Sequence, residues 1–228
     1  LSAIAGRLDR VRERIAHAAV EAGRDPRSIT LVTVSKKQGA DAIREAYAAG
    51  QRDFGENYAQ ELSSKRAELA DLTDLRWHFI GALQSNKARL VVPGTVLVHA
   101  VDRMSVAEAL AHRATLAGLE EEVLIEVNVG GEASKAGVTP EATADLIQSA
   151  AALPGLSVRG LMCIPPPVAS PGEAKPFFRR LRELEESLRP AHPKLTMLSM
   201  GMTADFEAAI AEGATHVRVG TAIFGART

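Results

Sequence analysis

Apolar positions fall along this chain in two alternating rhythms. Ile4, Leu8, Val11, Ile15, Ala18 and Ala19 recur at helical spacing, with Arg7, Asp9, Arg10, Arg12, Glu13 and Arg14 on the other face. That pattern predicts an amphipathic helix lying on something else. The rhythm then changes. Residues 29–36, Ile-Thr-Leu-Val-Thr-Val-Ser-Lys, are β-branched or aliphatic up to Ser35 and follow an Asp25-Pro26 turn signal, so they predict a buried strand that stops at Lys36. Ala42, Ile43, Ala46 and Tyr47 restore the helical spacing, and Gly50 closes that helix with a left-handed cap.

The same alternation continues to the C-terminus. Strands are predicted at 53–57, 77–81, 96–101, 123–129, 156–163, 195–200 and 216–220. Between them lie helices at 58–69 and 86–90, one carried by Val106, Ala109, Leu110 and Ala114, one opened by Thr139-Pro140-Glu141, and two more at 174–188 and 205–212, before a last helical turn at 222–225. Strands that alternate with helices imply a parallel sheet covered by helices. Eight such alternations predict a closed (β/α)₈ TIM barrel, with the first helix added outside it. An open doubly wound sheet is the other arrangement to weigh, but no glycine-rich dinucleotide fingerprint follows the first strand. No composition break divides residues 1–228, so a single domain is expected.

Composition narrows the class. The 228 residues are 46% hydrophobic and 24% charged, ordinary values for a globular protein, and the formal net charge of −1 offers no footprint for nucleic acid or an acidic membrane. No apolar run is long enough to cross a bilayer and no leader pattern opens the sequence. Cys163 is the one cysteine, which excludes an internal disulfide and fits a reducing compartment, so the cytoplasm is the expected location. Aromatic residues are only 4%, which predicts aliphatic strands packed on alanine-rich helices.

In a barrel of this kind the C-terminal strand ends share one rim, and that rim holds the site. Those ends place Ser35 and Lys36, Gly55 to Asn57, His78 and Gly81, His99 and Asp102, Asn128, Met162 and Cys163, Ser199 to Thr203, and Arg218 to Thr221 together. Two readings stand for Lys36. Its amine, desolvated at the mouth of an apolar strand, can become the neutral nucleophile that attacks aldehydes. Alternatively its stem packs on the strand while the ammonium reaches water, as Lys37 beside it can do. The loops Ser199-Met200-Gly201-Met202 and Val219-Gly220-Thr221 are small and rich in donors, and they follow the seventh and eighth strands, where barrels often hold a phosphate. A Schiff-base lysine facing a phosphate cup suits a phosphorylated aldehyde, and pyridoxal 5′-phosphate meets that description. Arg218, just before the cup, would face the ring nitrogen; a permanent guanidinium there leaves the pyridine unprotonated and weakens it as an electron sink.

Other candidates are weaker. His78 and His99 sit on adjacent predicted strands, but two histidines without a third spaced ligand do not make a metal site. Cys163 reads as a small buried hydrophobe, and Glu120 to Glu122 as a solvated face. Lys135, in the loop after the fifth strand, offers a secondary aldehyde site.

Val34-Ser35-Lys36, Phe54-Gly55-Glu56-Asn57, the run Trp77 to Lys87, Ser199-Met200-Gly201-Met202 and the run Val217 to Gly225 together resemble the pyridoxal phosphate homeostasis protein family. The resemblance implies an alanine-racemase-like barrel that binds pyridoxal 5′-phosphate as an aldimine to Lys36 and helps balance the cellular supply of vitamin B6. By position it implies that Ser199, Gly220 and Thr221 hold the phosphate, that Arg218 faces the pyridine nitrogen, that Asn57 and His78 line the ring pocket, and that Gly201 belongs to the same cofactor site. The implied partners are the cofactor and, transiently, the apoenzymes that need it, with the chain itself a monomer. One departure stands out. Many members carry Lys-Pro shortly after the aldimine lysine, whereas this chain reads Lys37-Gln38-Gly39-Ala40, which leaves a looser loop and puts in doubt any hand-over through a second lysine there.

The racemase relatives add a β-domain that brings a catalytic tyrosine to the opposite face of the cofactor. This sequence runs to Thr228, directly after the last barrel element, and its tyrosines, Tyr47 and Tyr58, fall in helical patterns. Racemisation needs two positioned bases, and Lys36 is the one the sequence offers. The expectation is therefore a carrier without dedicated catalysis, with a pyridoxal-phosphate racemase or a Schiff-base aldolase as the enzyme alternatives.

Overall fold

The computed structural model describes residues 2–132 and 135–225. Eight strands close into a parallel barrel in sequence order: β1 (Thr30–Val34), β2 (Asp53–Glu56), β3 (Arg76–Phe79), β4 (Leu97–Val101), β5 (Glu121–Glu126), β6 (Leu156–Met162), β7 (Met197–Ser199) and β8 (His216–Val219). Closure comes from β1 pairing with β8, with Thr30 opposite His216 and Thr33 opposite Val219. Among the described residues the helices are α1 (Ala3–Glu21), α2 (Ala40–Ala48), α3 (Ala59–Glu68), α4 (Ala88–Val91), α5 (Met104–Leu116), α6 (Thr143–Ala151), α7 (Lys175–Leu188), α8 (Phe206–Ala211) and α9 (Thr221–Phe224). This is the predicted TIM-barrel architecture.

The first helix is the predicted addition. Ser2 caps it by accepting from the Ala5 N–H at 3.1 Å, and its buried face of Ile4, Leu8, Val11 and Ile15 lies across α2, α8 and α9, which flank the β1–β8 closure. Around the barrel, the outward faces of the strands pack on the helices: Val98, Val101, Val123 and Ile125 join Leu62, Leu110, Ile147, Phe178 and Phe206 in one core. A separate cluster of Leu97, Ala100, Leu124 and Met162, with Met197 against it, forms where strand residues alternate to the inside. None of the described helices is long and apolar enough to cross a membrane.

Boundaries differ most from the sequence reading around the end of β5 and the helix that follows it. That strand stops at Glu126 rather than at 129, and Val127 keeps only an isolated bridge to Val138. Asn128 ends the run because its side chain accepts from the Gly131 N–H (3.0 Å) and donates to the Glu132 carbonyl (2.8 Å), a local turn that competes with a ladder. The helix predicted to open at Thr139-Pro140-Glu141 begins only at Thr143, because Thr139 and Thr143 tie the preceding turn through their hydroxyls.

Candidate functional site

A cavity of about 310 Å³ opens at the C-terminal ends of the strands, and Lys36, Asn57, Arg218, Gly220 and Thr221 are among its lining residues. Lys36 lies two residues beyond β1, on a tight turn closed by the Gln38 N–H donating to the Ser35 carbonyl at 2.9 Å. Lys37 takes φ 61°, the one positive φ at a non-glycine residue among those described, which costs backbone energy unless neighbours hold it.

They do hold it. The Lys37 N–H donates to Glu61 Oε1 at 2.5 Å, and the Lys65 ammonium spends its three donors at 2.7 Å each on the Ser35 carbonyl, Glu56 Oε1 and Glu61 Oε1. Ser35 adds a 2.6 Å bond from its hydroxyl to Glu56 Oε1. Burial raises the Glu56 carboxyl, against the opposing hydrogen bonds from Lys65 and Ser35. Lys65 and Glu56 are both buried, so the turn that presents Lys36 rests on an interior ion pair.

Asn57 follows β2, and its Oδ1 is buried with no partner among the described residues. It is fixed from behind by Gly81: a Cβ there would sit 2.2 Å from the Asn57 carbonyl oxygen, so only glycine lets the two loops meet. Across the cavity, Gly220 caps α9 and Thr221 opens it, and the N–H groups of Thr221 and Ala222 have no intrahelical acceptor to use. The Thr221 hydroxyl meets Thr203 at 3.2 Å and so links the loops after β7 and β8.

Arg218 forms the buried wall between these groups. It donates to Ser199 Oγ at 2.6 Å and to the Cys163 carbonyl at 2.9 Å, and burial lowers its guanidinium from the usual range. Cys163 is buried with its thiol pushed up to about 12 by burial, so it contributes packing and a carbonyl rather than a nucleophile.

Three residues predicted for the site are not among those lining the cavity. Gly201, at φ 92°, packs against α8, where a Cβ would meet that of Ala209 at 2.6 Å. Ser199 is fully buried, with its hydroxyl engaged by Arg218 and by His99 Nδ1 at 2.8 Å. His78 lies in the barrel interior, its Nδ1 3.0 Å from His99 Nε2 and its Nε2 3.0 Å from Asp53 Oδ1. The two histidines therefore face each other rather than an ion, and no group of three or more potential metal ligands occurs among the described residues. Tyr47 hydrogen-bonds Asp74 and Tyr58 is exposed at the start of α3, neither of them on the cavity.

Sequence reasoning missed Lys65 and Glu61, and it placed Glu56 at the rim without assigning it a role. Glu61 and Lys65 stand four apart on α3 and look like an ordinary solvated pair; only the barrel's closure reveals that the lysine is buried beneath Ser35.

The sequence and the fold are both similar to those of known proteins. Residues 6–228 match the model of the alanine racemase N-terminal domain. The pyridoxal phosphate homeostasis protein of Pseudomonas aeruginosa is 51% identical over 228 residues, covering 100% of this chain and 97% of that one, and its counterpart from Aquifex aeolicus is 47% identical over 97% of both chains. Among solved structures, PipY of Synechococcus elongatus PCC7942 with pyridoxal phosphate bound superimposes with a TM-score of 0.84 at 40% identity, covering 97% of this chain and 100% of that one. The chain belongs to the pyridoxal phosphate homeostasis protein family, built on the alanine racemase N-terminal fold.

Proposed function

We propose that this protein binds pyridoxal 5′-phosphate in the rim cavity, held covalently as a Schiff base through Lys36 Nζ, and buffers or delivers it to apoenzymes inside the cell as a monomer without turnover of its own. The observation that carries this reading is the convergence of the Lys36 amine, the buried Arg218 guanidinium and the orphaned Asn57 amide on one cavity of ligand size. An unpartnered buried amide oxygen is costly by itself, about 1–3 kcal/mol, and a polar ring substituent would satisfy it.

When bound, the cofactor would supply the aldehyde and an electron-withdrawing ring. The chain's own residues would do the rest. Lys36 would provide the amine, presented by the turn that Lys65 and Glu61 brace. The N–H groups opening α9, with the Thr221 hydroxyl, would receive the phosphate oxygens. Gly201, Ser199 and His78 would act from behind the cavity rather than on the ligand. Arg218, as a permanent donor, would face the ring nitrogen and disfavour its protonation.

The same lining argues for a carrier. Lys36 and Arg218 are the ionisable side chains lining the cavity among the described residues, and a guanidinium does not serve as a base near neutral pH. Two-faced proton transfer at an amino-acid α-carbon therefore lacks a second base. The test is to add pyridoxal 5′-phosphate to the purified protein, follow the yellow absorption band, and then offer an apoenzyme and, separately, L-alanine. The expected result is a stoichiometric band, cofactor transfer to the apoenzyme, and racemisation no faster than with free cofactor. Enzyme-like racemisation, or a colourless protein trapped by borohydride only with a sugar phosphate, would reverse the assignment.

A further inference from the structure

The barrel interior carries a chain of polar side chains that the binding reading does not use. From the cavity wall inward the order is Arg218 to Ser199 (2.6 Å), Ser199 to His99 Nδ1 (2.8 Å), His99 Nε2 to His78 Nδ1 (3.0 Å), and His78 Nε2 to Asp53 Oδ1 (3.0 Å). These groups come from β8, β7, β4, β3 and β2, so the chain threads from the rim through the interior. Asp53 is also clamped by Arg76, whose Nε reaches Oδ1 at 2.7 Å.

We propose that His78, His99 and Ser199 form a hydrogen-bond relay of one fixed polarity whose work is to position the Arg218 guanidinium beneath the cavity. The polarity follows from the two ends. Arg218 can only donate, so Ser199 Oγ accepts from it, and among the described residues the one partner left for the serine proton is His99 Nδ1. His99 then carries its proton on Nε2 and donates it to His78 Nδ1. His78 in turn carries its proton on Nε2 and donates it to the Asp53 carboxylate. In this arrangement the serine hydroxyl and all four ring nitrogens have partners with one proton on each imidazole.

The reversed polarity has a specific defect. If His99 donated from Nδ1, the Ser199 proton would be left without an acceptor in a fully buried position, and His78 would need protons on both nitrogens to serve His99 and Asp53 together. That second proton would make His78 a buried cation beside His216, whose ring centroid lies 6.2 Å away, with a counter-charge, Asp53, that Arg76 already shares. Burial above all holds His99 well below the usual imidazole range, with the Arg218 charge acting in the same direction, in accord with a neutral ring. Burial pushes the Asp53 carboxyl up, but the bonds from Arg76 and His78 outweigh it and hold the group at about 2, so the relay ends on a carboxylate. Ser199, His99 and His78 are thus positioning residues that act through Arg218.

The first test needs no cofactor. Protein labelled with ¹⁵N-histidine should show, at pH 8, His78 and His99 each carrying a proton on Nε2, with Nδ1 as the acceptor. A doubly protonated His78, or a His99 protonated on Nδ1, would overturn the relay. The second test rests on the proposed function: with ¹⁵N-labelled pyridoxal 5′-phosphate bound, His99→Leu should move the pyridine nitrogen resonance away from its wild-type position and weaken binding by about tenfold, the value of one lost hydrogen bond. An unchanged resonance in that variant would show that the histidines do not govern Arg218. Failure of cofactor binding in the wild type would strike the proposed function and leave the histidine measurement standing.

Discussion

The two walls of the cavity are held by opposite means. On the Lys36 side, a buried ammonium and two carboxylates clamp a turn in a left-handed conformation, so the geometry depends on charges taken out of water. On the Arg218 side, the groups that hydrogen-bond one buried cation are neutral, the Cys163 carbonyl and a serine backed by two histidines that end on a distant carboxylate, while Glu126 and Asp205 act on it only as nearby charges. The difference teaches where each wall is vulnerable. An ion-pair clamp fails when one partner is removed, because the other is left as an uncompensated buried charge. A neutral relay fails when its members are protonated.

The largest expected effect is on the clamp. Lys65→Met leaves Glu56 buried without its cation and should destabilise the fold by about 3–5 kcal/mol, measured by urea denaturation. Adding Glu56→Gln should recover much of that loss, since the pair is then removed together; equal destabilisation in the single and double variants would mean that the buried charge is not the cause.

The acid side sharpens the other wall. His216, beside His78 and His99 in the interior, is depressed to about 3, chiefly by burial, with Arg218 adding to it and Asp53 opposing. A histidine depressed in the fold contributes stability that is fully present above its unfolded value of about 6.5 and is lost as pH falls toward 3, with a slope of about 1.4 kcal/mol per pH unit. Glu121 and Glu126, each raised to about 7 by burial, slope the other way over part of that range, so the measurement is a difference between proteins. His216→Gln should lose less stability than the wild type between pH 6 and 4; parallel curves would contradict a neutral buried imidazole.

The smallest effect concerns the turn itself. Lys37→Gly relieves the positive φ but loosens the unfolded chain, so a net gain of at most about 1 kcal/mol is expected by thermal denaturation. A clear loss would mean that the Lys37 side chain is part of the clamp.

The architecture was legible because eight strand runs and their helices carry their periods openly, and the N-terminal helix shows its single apolar face from Ile4 to Ala19. Positions at strand ends were legible for the same reason, which is why Lys36, Asn57, Arg218, Gly220 and Thr221 meet at one cavity. What the sequence could not show was which way a side chain near a strand end turns. His78 and Ser199 read as rim residues, yet a strand alternates its faces and places them in the interior, where their polar atoms find each other. Lys65 was hidden for a different reason: four residues from Glu61 on a helix, it has the spacing of a surface pair, and its burial depends on a turn thirty residues earlier in the chain.

The central claim is that one amine, on the turn after β1, takes the cofactor. Reducing the pyridoxal 5′-phosphate-loaded protein with borohydride and mapping the modified peptide by mass spectrometry tests it most directly. The account predicts a single pyridoxyl adduct on Lys36. An adduct confined to another lysine such as Lys135, or no adduct at all, would contradict it.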